Sequence, residues 1–264
     1  MARDFLARIL EVKKEEVEAA GKAVPLDILK EKVLAAEDRR PFFSRLSAPT
    51  RFGGNIIAEI KRGSPSRGII REGLDPAAQA AAYEKGGAAA VSVLTDRHFF
   101  SGGPEDLKAA RAAVNLPVLR KDFLISTYQV YESAAMGADA VLLIVRALSP
   151  DLLAECLDLC RTLRLDALVE VHSAREIETA TEAGAVLVGI NNRDLETFKT
   201  DIETSVQLAP LLGPGQVAVA ESGISGRAHV ERLLDAGIWN FLIGESLVRA
   251  LDPEAHIRQM LGMG

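Results

Sequence analysis

The stretch Leu116-Pro-Val-Leu-Arg-Lys-Asp-Phe-Leu124 starts as a buried β-strand and ends on three ionised side chains in a row, Arg120, Lys121 and Asp122. Charge in a dry interior costs several kcal/mol unless it is paired or wet. The fold must therefore bring the end of this buried strand to a place where charge is wanted.

The same grammar recurs along the chain. Short runs rich in Val, Ile and Leu read as eight strands: Asn55–Ile60, Ala90–Leu94, Pro117–Arg120, Ala140–Ile144, Ala167–Val171, Val186–Ile190, Val217–Ala220 and Asn240–Ile243. Between them lie amphipathic helical patterns over Pro76–Lys85, Pro104–Ala113, Thr127–Met136, Pro150–Leu163, Ala174–Ala183, Ile202–Leu208 and Gly226–Asp235, with Pro253–Met260 after the last strand. Several of these helices run into glycine (Gly86-Gly87, Gly137, Gly184, Gly237), as left-handed C-caps require. Near-continuous apolar strands alternating with helices predict a parallel sheet covered by helices. Eight such units in roughly 250 residues predict a closed (β/α)8 barrel, an α/β TIM barrel. An open doubly wound sheet is the structural alternative, but no Gly-x-Gly-x-x-Gly follows the first strand. Two helical patterns, Asp4–Ala20 and Leu26–Ala36, precede the barrel. With no Ser/Gly-rich linker after them, residues 1–264 are expected to form one barrel domain, with residues 1–50 a helical extension packed on it.

In such a barrel the carboxyl ends of the strands and the loops that follow form the active-site face, which is where the Lys121 end of its strand belongs. Polar and ionisable groups also close Ala58-Glu59-Ile60-Lys61, Val169-Glu170-Val171-His172, Gly189-Ile190-Asn191-Asn192-Arg193-Asp194 and Val219-Ala220-Glu221-Ser222. Side chains alternate along a strand, so Glu59 and Lys61 are expected to point into the barrel mouth together. Any one of these charges alone reads as a solvated loop residue. Two lysines and three glutamates on one rim make a set in which neighbouring charge and burial tune acidity for catalysis, although structural ion-pair networks share that look.

Glycines mark a second site. Glu221-Ser-Gly-Ile-Ser-Gly226 follows the seventh strand, and Ile243-Gly-Glu-Ser-Leu-Val248 follows the eighth and opens a short helix. Glycine admits a ligand close to the backbone, and free amides at a helix start attract an anion, so the pair predicts a phosphate site. Either loop alone would be an ordinary turn.

Composition restricts the function classes. The chain of 264 residues is 48% hydrophobic and 26% charged, enough for a large core, and its net charge of −6 argues against nucleic acid or an acidic membrane as principal partner. Charges interrupt the apolar residues of Met1–Leu10, and no run of roughly 18 apolar residues occurs, so a cytoplasmic protein with no membrane partner is expected. Cys156 and Cys160 share one helix face and are expected only to pack, and the four scattered histidines suggest no metal site.

Six segments together resemble the indole-3-glycerol phosphate synthase family: Ile57-Ala-Glu-Ile-Lys-Arg-Gly-Ser-Pro-Ser-Arg-Gly68, Ser92-Val-Leu-Thr-Asp-Arg-His-Phe-Phe-Ser-Gly102, Leu119-Arg-Lys-Asp-Phe123, Leu168-Val-Glu-Val-His172, Gly189-Ile-Asn-Asn-Arg-Asp-Leu195 and Ala220-Glu-Ser-Gly-Ile224. The resemblance extends over essentially the whole chain, helical extension included. Two positions depart from it. Trp239-Asn240 stands where smaller or acidic residues are expected, implying a packing difference, and Glu245 follows Gly244 where some members have Ser, leaving the phosphate contact there to a backbone amide.

The resemblance implies the substrate 1-(2-carboxyphenylamino)-1-deoxyribulose 5-phosphate and the products indole-3-glycerol phosphate, CO2 and water. It implies Lys121 as principal general acid, Glu170 as general base, and Lys61 as carboxylate contact and second acid. Glu59, Asn191, Glu221 and Ser222 would hold substrate hydroxyls and orient the lysines. Arg193 would lie near the anthranilate side, Phe123 would line the aromatic slot, and Ser64, Gly223, Gly244 and Glu245 would meet the phosphate. No cofactor is implied, and association with other tryptophan-pathway enzymes is left open. Three other readings remain: phosphoribosylanthranilate isomerase, an aldolase using Lys61 or Lys121 as a Schiff base, and a non-catalytic phosphate-binding barrel. The joint presence of acids and bases speaks against the last.

Overall fold

A computed structural model of the chain describes residues 5–34, 39–65, 68–194 and 197–263. Asp4 and Ala36, expected limits of two helices, and Ser66, Arg67 and Leu195 of the quoted segments lie outside the described residues.

The apolar runs form eight parallel strands: β1 (Asn55–Ile60), β2 (Ala90–Leu94), β3 (Val118–Lys121), β4 (Ala140–Ile144), β5 (Asp166–Val171), β6 (Leu187–Asn191), β7 (Val217–Glu221) and β8 (Asn240–Ile243). Each pairs with the next, and β8 pairs with β1, so the sheet closes into the expected barrel. β3 begins one residue later than expected, since Pro117 has no N–H to donate; its carbonyl still accepts the Val91 N–H. Three helices precede the barrel: α1 (Phe5–Ala23), α2 (Leu26–Leu34) and α3 (Phe42–Leu46). The remaining ones are α4 (Pro76–Gly86), α5 (Arg97–Phe100), α6 (Pro104–Ala113), α7 (Thr127–Met136), α8 (Pro150–Thr162), α9 (Ala174–Glu182), α10 (Glu203–Leu208), α11 (Arg227–Asp235), α12 (Glu245–Arg249) and α13 (Pro253–Leu261). The periodicity reading missed the short α3 and α5 and a small antiparallel pair, Gly63–Ser64 with Gly68–Ile69; each is shorter than two helical turns or a typical strand, too short to show a period.

Local chemistry sets the helix limits. Pro76 occupies the first turn of α4 behind Asp75, whose carboxylate accepts the Ala77 N–H at 2.9 Å. At the other end Gly87 adopts φ +93°, the left-handed conformation that ends the helix without a Cβ penalty.

Alternation along the strands divides the core. Residues facing the helices, such as Ile56, Ala58 and Ile60 of β1, pack with α4, α6 and α13, while Val169 and Val171 of β5 pack with Cys156 and Cys160 of α8. Both cysteines are free and buried, as expected. Residues facing inward, Ile57, Leu119, Leu142, Leu168, Leu187, Val219 and Leu242, fill the barrel itself. Phe42 and Leu46 of α3 close the amino-terminal end of this inner core. The Trp239 indole donates to the Leu46 carbonyl at 3.0 Å and the Asn240 amide does so at 3.1 Å, so the Trp239-Asn240 departure seals the barrel floor, at the end opposite the rim. Among the described residues no helix is long and apolar enough to cross a membrane.

Candidate active site

One step further along most of the inward-facing rows, apolar side chains give way to charged or polar groups or to glycine. Ile57 is followed by Glu59 and Lys61, Leu119 by Lys121, Leu168 by Glu170, Leu187 by Gly189 and Asn191, Val219 by Glu221, and Leu242 by Gly244. Period-2 geometry therefore converts a linear pattern into a ring of ionisable groups above a sealed hydrophobic floor. The ring faces a cavity of about 470 Å³, and every candidate site residue read from the sequence lines it.

Lys121 holds the centre. Its Nζ donates to Glu170 Oε2 at 3.1 Å and lies 3.3 Å from Glu221 Oε2. Burial alone would strip this ammonium of its proton, but Glu170, Glu221 and Glu59 more than offset that cost and hold its pKa above the ordinary lysine value. Burial likewise favours the neutral form of Glu170, yet Lys121, His172 and a hydrogen bond from Asn191 bring its pKa below the usual carboxylate range. Glu221 goes the other way. Burial and the like charge of Glu170 outweigh its share of Lys121, and its carboxyl is pushed up to about 8. The two carboxylates compete for one ammonium, and Glu170 wins it.

A second pair stands beside the first. Lys61 Nζ lies 2.6 Å from Glu59 Oε1, so the two residues do share a face of β1 and its extension. Gly244 makes room for them, since a Cβ there would fall 2.2 Å from Glu59 Oε1 and 2.9 Å from Lys61 Nζ. Gly189 does the same for Glu221, whose Oε1 would stand 2.0 Å from an added Cβ.

Along the same rim, Ser64, Ser222, Gly223, Gly244 and Glu245 gather at the loops after β1, β7 and β8. Ser222 and Gly223 adopt φ +68° and +78°, the left-handed turn that the Ser-Gly sequence accommodates. Glu245 brings a carboxylate to this part of the cavity and is bridged by Arg249 at 3.1 Å. Asn191 Oδ1 accepts the backbone N–H of Arg193 at 3.0 Å, and the Arg193 guanidinium donates to the Phe198 carbonyl at 3.2 Å.

An apolar wall completes the site. Phe123 packs near Phe100 with ring centroids 6.1 Å apart, and Phe5, Leu6 and Ile9 of α1 extend the wall across the mouth. The buried Lys13 pins α1 there, reaching Asp96 at 2.7 Å, Asp122 at 2.9 Å and Glu16 at 2.7 Å. Sequence reading assigned none of these extension residues to the site. Leu6, Ile9 and Lys13 do lie at helical spacing on one face of α1, but an amphipathic face with one lysine in it carries no sign of what it covers. Arg120, which precedes Lys121, turns away from the cavity and is buried against Glu132, Ser133 and Asp122 on the α7 side.

A closed parallel barrel with a lysine held between carboxylates at the carboxyl ends of its strands defines a (β/α)8-barrel enzyme. Comparison with known proteins gives the family. The family model described as indole-3-glycerol phosphate synthase matches residues 6–260. Curated relatives with that name include one from Syntrophobacter fumaroxidans, 62% identical over 98% of both chains, and one from Carboxydothermus hydrogenoformans, 46% identical over 97% of this chain and 99% of its own. The chain belongs to the indole-3-glycerol phosphate synthase family, and with that family it is an enzyme, a carboxy-lyase of tryptophan biosynthesis. Among solved structures, a 3-hexulose-6-phosphate synthase superposes with TM-score 0.63 at 13% identity, covering 79% of this chain and 99% of that one. Thiamine phosphate pyrophosphorylase from Pyrococcus furiosus gives 0.60 at 14% identity, covering 83% and 96%. These two distant likenesses concern the barrel alone.

Proposed function

We propose that this chain converts 1-(2-carboxyphenylamino)-1-deoxyribulose 5-phosphate to indole-3-glycerol phosphate, CO2 and water, with Lys121 as general acid and Glu170 as general base. The observation that carries the reading is the Lys121–Glu170 pair, an acid and a base in contact beneath an apolar-walled cavity. The carboxylate-bearing ring carbon attacks the ribulose carbonyl while Lys121, kept charged at neutral pH by its carboxylates, gives a proton to the developing alkoxide. CO2 then leaves and restores aromaticity. The hydroxyl leaves as water after a second protonation, and Glu170, held ionised against its burial by Lys121 and His172, takes the last carbon-bound proton.

In the same reading Lys61 meets the substrate carboxylate and serves as second acid. Glu59, Asn191, Glu221 and Ser222 hold hydroxyls, Arg193 faces the anthranilate side, Phe123 lines the ring slot, and Ser64, Gly223, Gly244 and Glu245 surround the phosphate. The Glu245–Arg249 bridge supports that last assignment, since the arginine offsets a carboxylate that would otherwise repel the anion. A Schiff-base aldolase needs a neutral amine, and a lysine whose pKa is raised by two carboxylates is a poor one. The chain's net charge of −6, which suits neither nucleic acid nor an acidic membrane surface, supports a cytoplasmic setting.

The test supplies the carboxyphenylamino substrate and follows indole fluorescence. No turnover by well-folded protein would remove this reading. Borohydride trapping of substrate on a lysine would favour the aldolase instead.

A further inference from the structure

The substrate assigned above brings two anions, a carboxylate and a phosphate, into a cavity with no excess of positive charge. Among the described residues the cations lining it are Lys61, Lys121, Arg193 and Arg249, and Glu59, Asp122, Glu170, Glu221 and Glu245 oppose them. A phosphate there must be met by a particular cation rather than by a general positive field. Lys121 lies between Glu170 and Glu221, Lys61 lies 2.6 Å from Glu59, and Arg193 donates to the Phe198 carbonyl at 3.2 Å on the β6 side. Arg249 is left, and it borders the cavity beside the Gly244-Glu245 step after β8. It closes α12, one helical turn after Glu245, and its Nε donates to Glu245 Oε1 at 3.1 Å. A guanidinium carries five N–H donors in a planar fork, and Nε supplies only one of them. The Nη donors of Arg249 have no protein partner among the described residues. A second acceptor at the cavity edge can therefore take them.

We propose that Arg249 binds the substrate phosphate through its Nη groups and so selects phosphorylated substrate, while Glu245 competes with the phosphate for the same guanidinium. The inference rests on the placement of the phosphate given above. The strengths of the two acceptors decide the competition. The Glu245–Arg249 bridge joins side chains that are 29% and 50% exposed, and a solvated pair one turn apart on a helix holds weakly. A phosphate monoester offers close to two negative charges and three acceptor oxygens, and it matches the planar fork of an arginine better than it would the point charge of a lysine. Arg249 then stands between two anions, the phosphate and the Glu245 carboxylate, and lowers the repulsion between them. A substrate without the phosphate gains nothing from Arg249, which is what makes the residue a determinant of specificity. The reacting carbons lie at the Lys121–Glu170 pair, so the contact acts on binding and leaves the chemical steps to the lysines.

The experiment measures kcat and KM for the carboxyphenylamino substrate, together with competitive inhibition by inorganic phosphate, at fixed ionic strength. Arg249→Gln is expected to raise KM and the phosphate inhibition constant together by about tenfold, the low end for a lost hydrogen bond to a charged group because the site is half exposed, while kcat changes far less. Arg249→Lys should recover part of that loss. Glu245→Gln, which removes the competing charge and keeps the shape, should lower both constants. The double variant separates a phosphate contact from mere neutralisation of Glu245. If Arg249 touches the phosphate, Arg249→Gln still raises KM at least about fivefold when added to Glu245→Gln, since the lost bond is the same in both backgrounds. If it raises KM only in the presence of Glu245, or raises it without weakening inhibition by phosphate, the proposal is overturned. Inorganic phosphate that competes equally with substrate on the wild type and on Arg249→Gln would remove Arg249 alone. Phosphate that does not compete even on the active wild type would remove the phosphate placement itself, and Arg249 with it.

Discussion

Lys121 and Glu170 stand on strands that are not neighbours, β3 and β5, with β4 between them, yet their side chains meet at 3.1 Å across the barrel mouth. Barrel curvature brings this about: the inward rows of all eight strands converge, so groups some fifty residues apart in sequence share one proton-transfer distance.

Removing the lysine should cost the chemistry first. Lys121→Ala is expected to lower kcat at least about a hundredfold, the usual scale for a general acid. Steady-state kinetics with purified protein check it, and near-normal kcat would transfer the acid role to Lys61.

Burial works against the Glu170 carboxylate, but Lys121 and His172 outweigh it and keep the group ionised below the ordinary carboxylate range. An acidic limb of kcat caused by Glu170 is then expected below that range, and Glu170→Gln should lower kcat far more than it changes KM. A Glu170→Gln variant that keeps both kcat and the acidic limb would leave Glu59 as the next candidate base.

Glu221 predicts a pH dependence of stability with the opposite sense. Its carboxyl binds a proton more tightly folded, at about 8, than the ordinary value of 4.5, so its contribution is fully present below about 4.5 and is lost as pH rises to about 8. Glu221→Gln should flatten that part of the Tm-against-pH curve, as read by thermal melts. An identical slope in the variant would mean that Glu221 is ionised throughout.

The extension depends on one buried cation. Lys13→Met leaves Asp96 and Asp122 buried beside an apolar group and should destabilise the fold by about 3–5 kcal/mol, the usual cost of breaking a buried ion pair. Urea unfolding measures the loss. KM should rise as well, because Leu6 and Ile9 form part of the cavity wall.

Gly244→Ala tests the close approach at β8. Its Cβ cannot coexist with the Glu59–Lys61 pair, so kcat should fall and KM rise while the melting temperature changes much less. An unchanged kcat would show that the pair can move aside without consequence.

The strands, the helices between them and hence the barrel were legible in the residues alone, because each is a local pattern: apolar runs, a 3.6-residue period, proline at helix starts and glycine at their ends. So was the ring of charge, since β alternation turns Glu59-Ile60-Lys61 or Val169-Glu170-Val171 into a statement about which side chains face inward. Other features lie beyond any local pattern. Which carboxylate holds Lys121, and which is left near 8, follows from distances between strands distant in sequence. The same holds for α1, whose leucine, isoleucine and lysine read as any amphipathic face until Asp96 and Asp122 are brought against Lys13. His172 read as one of four scattered histidines until folding set Glu170 on one side of its ring and Glu176 on the other. Pairing energies depend on separation in space and on burial, and both are fixed only when the barrel closes.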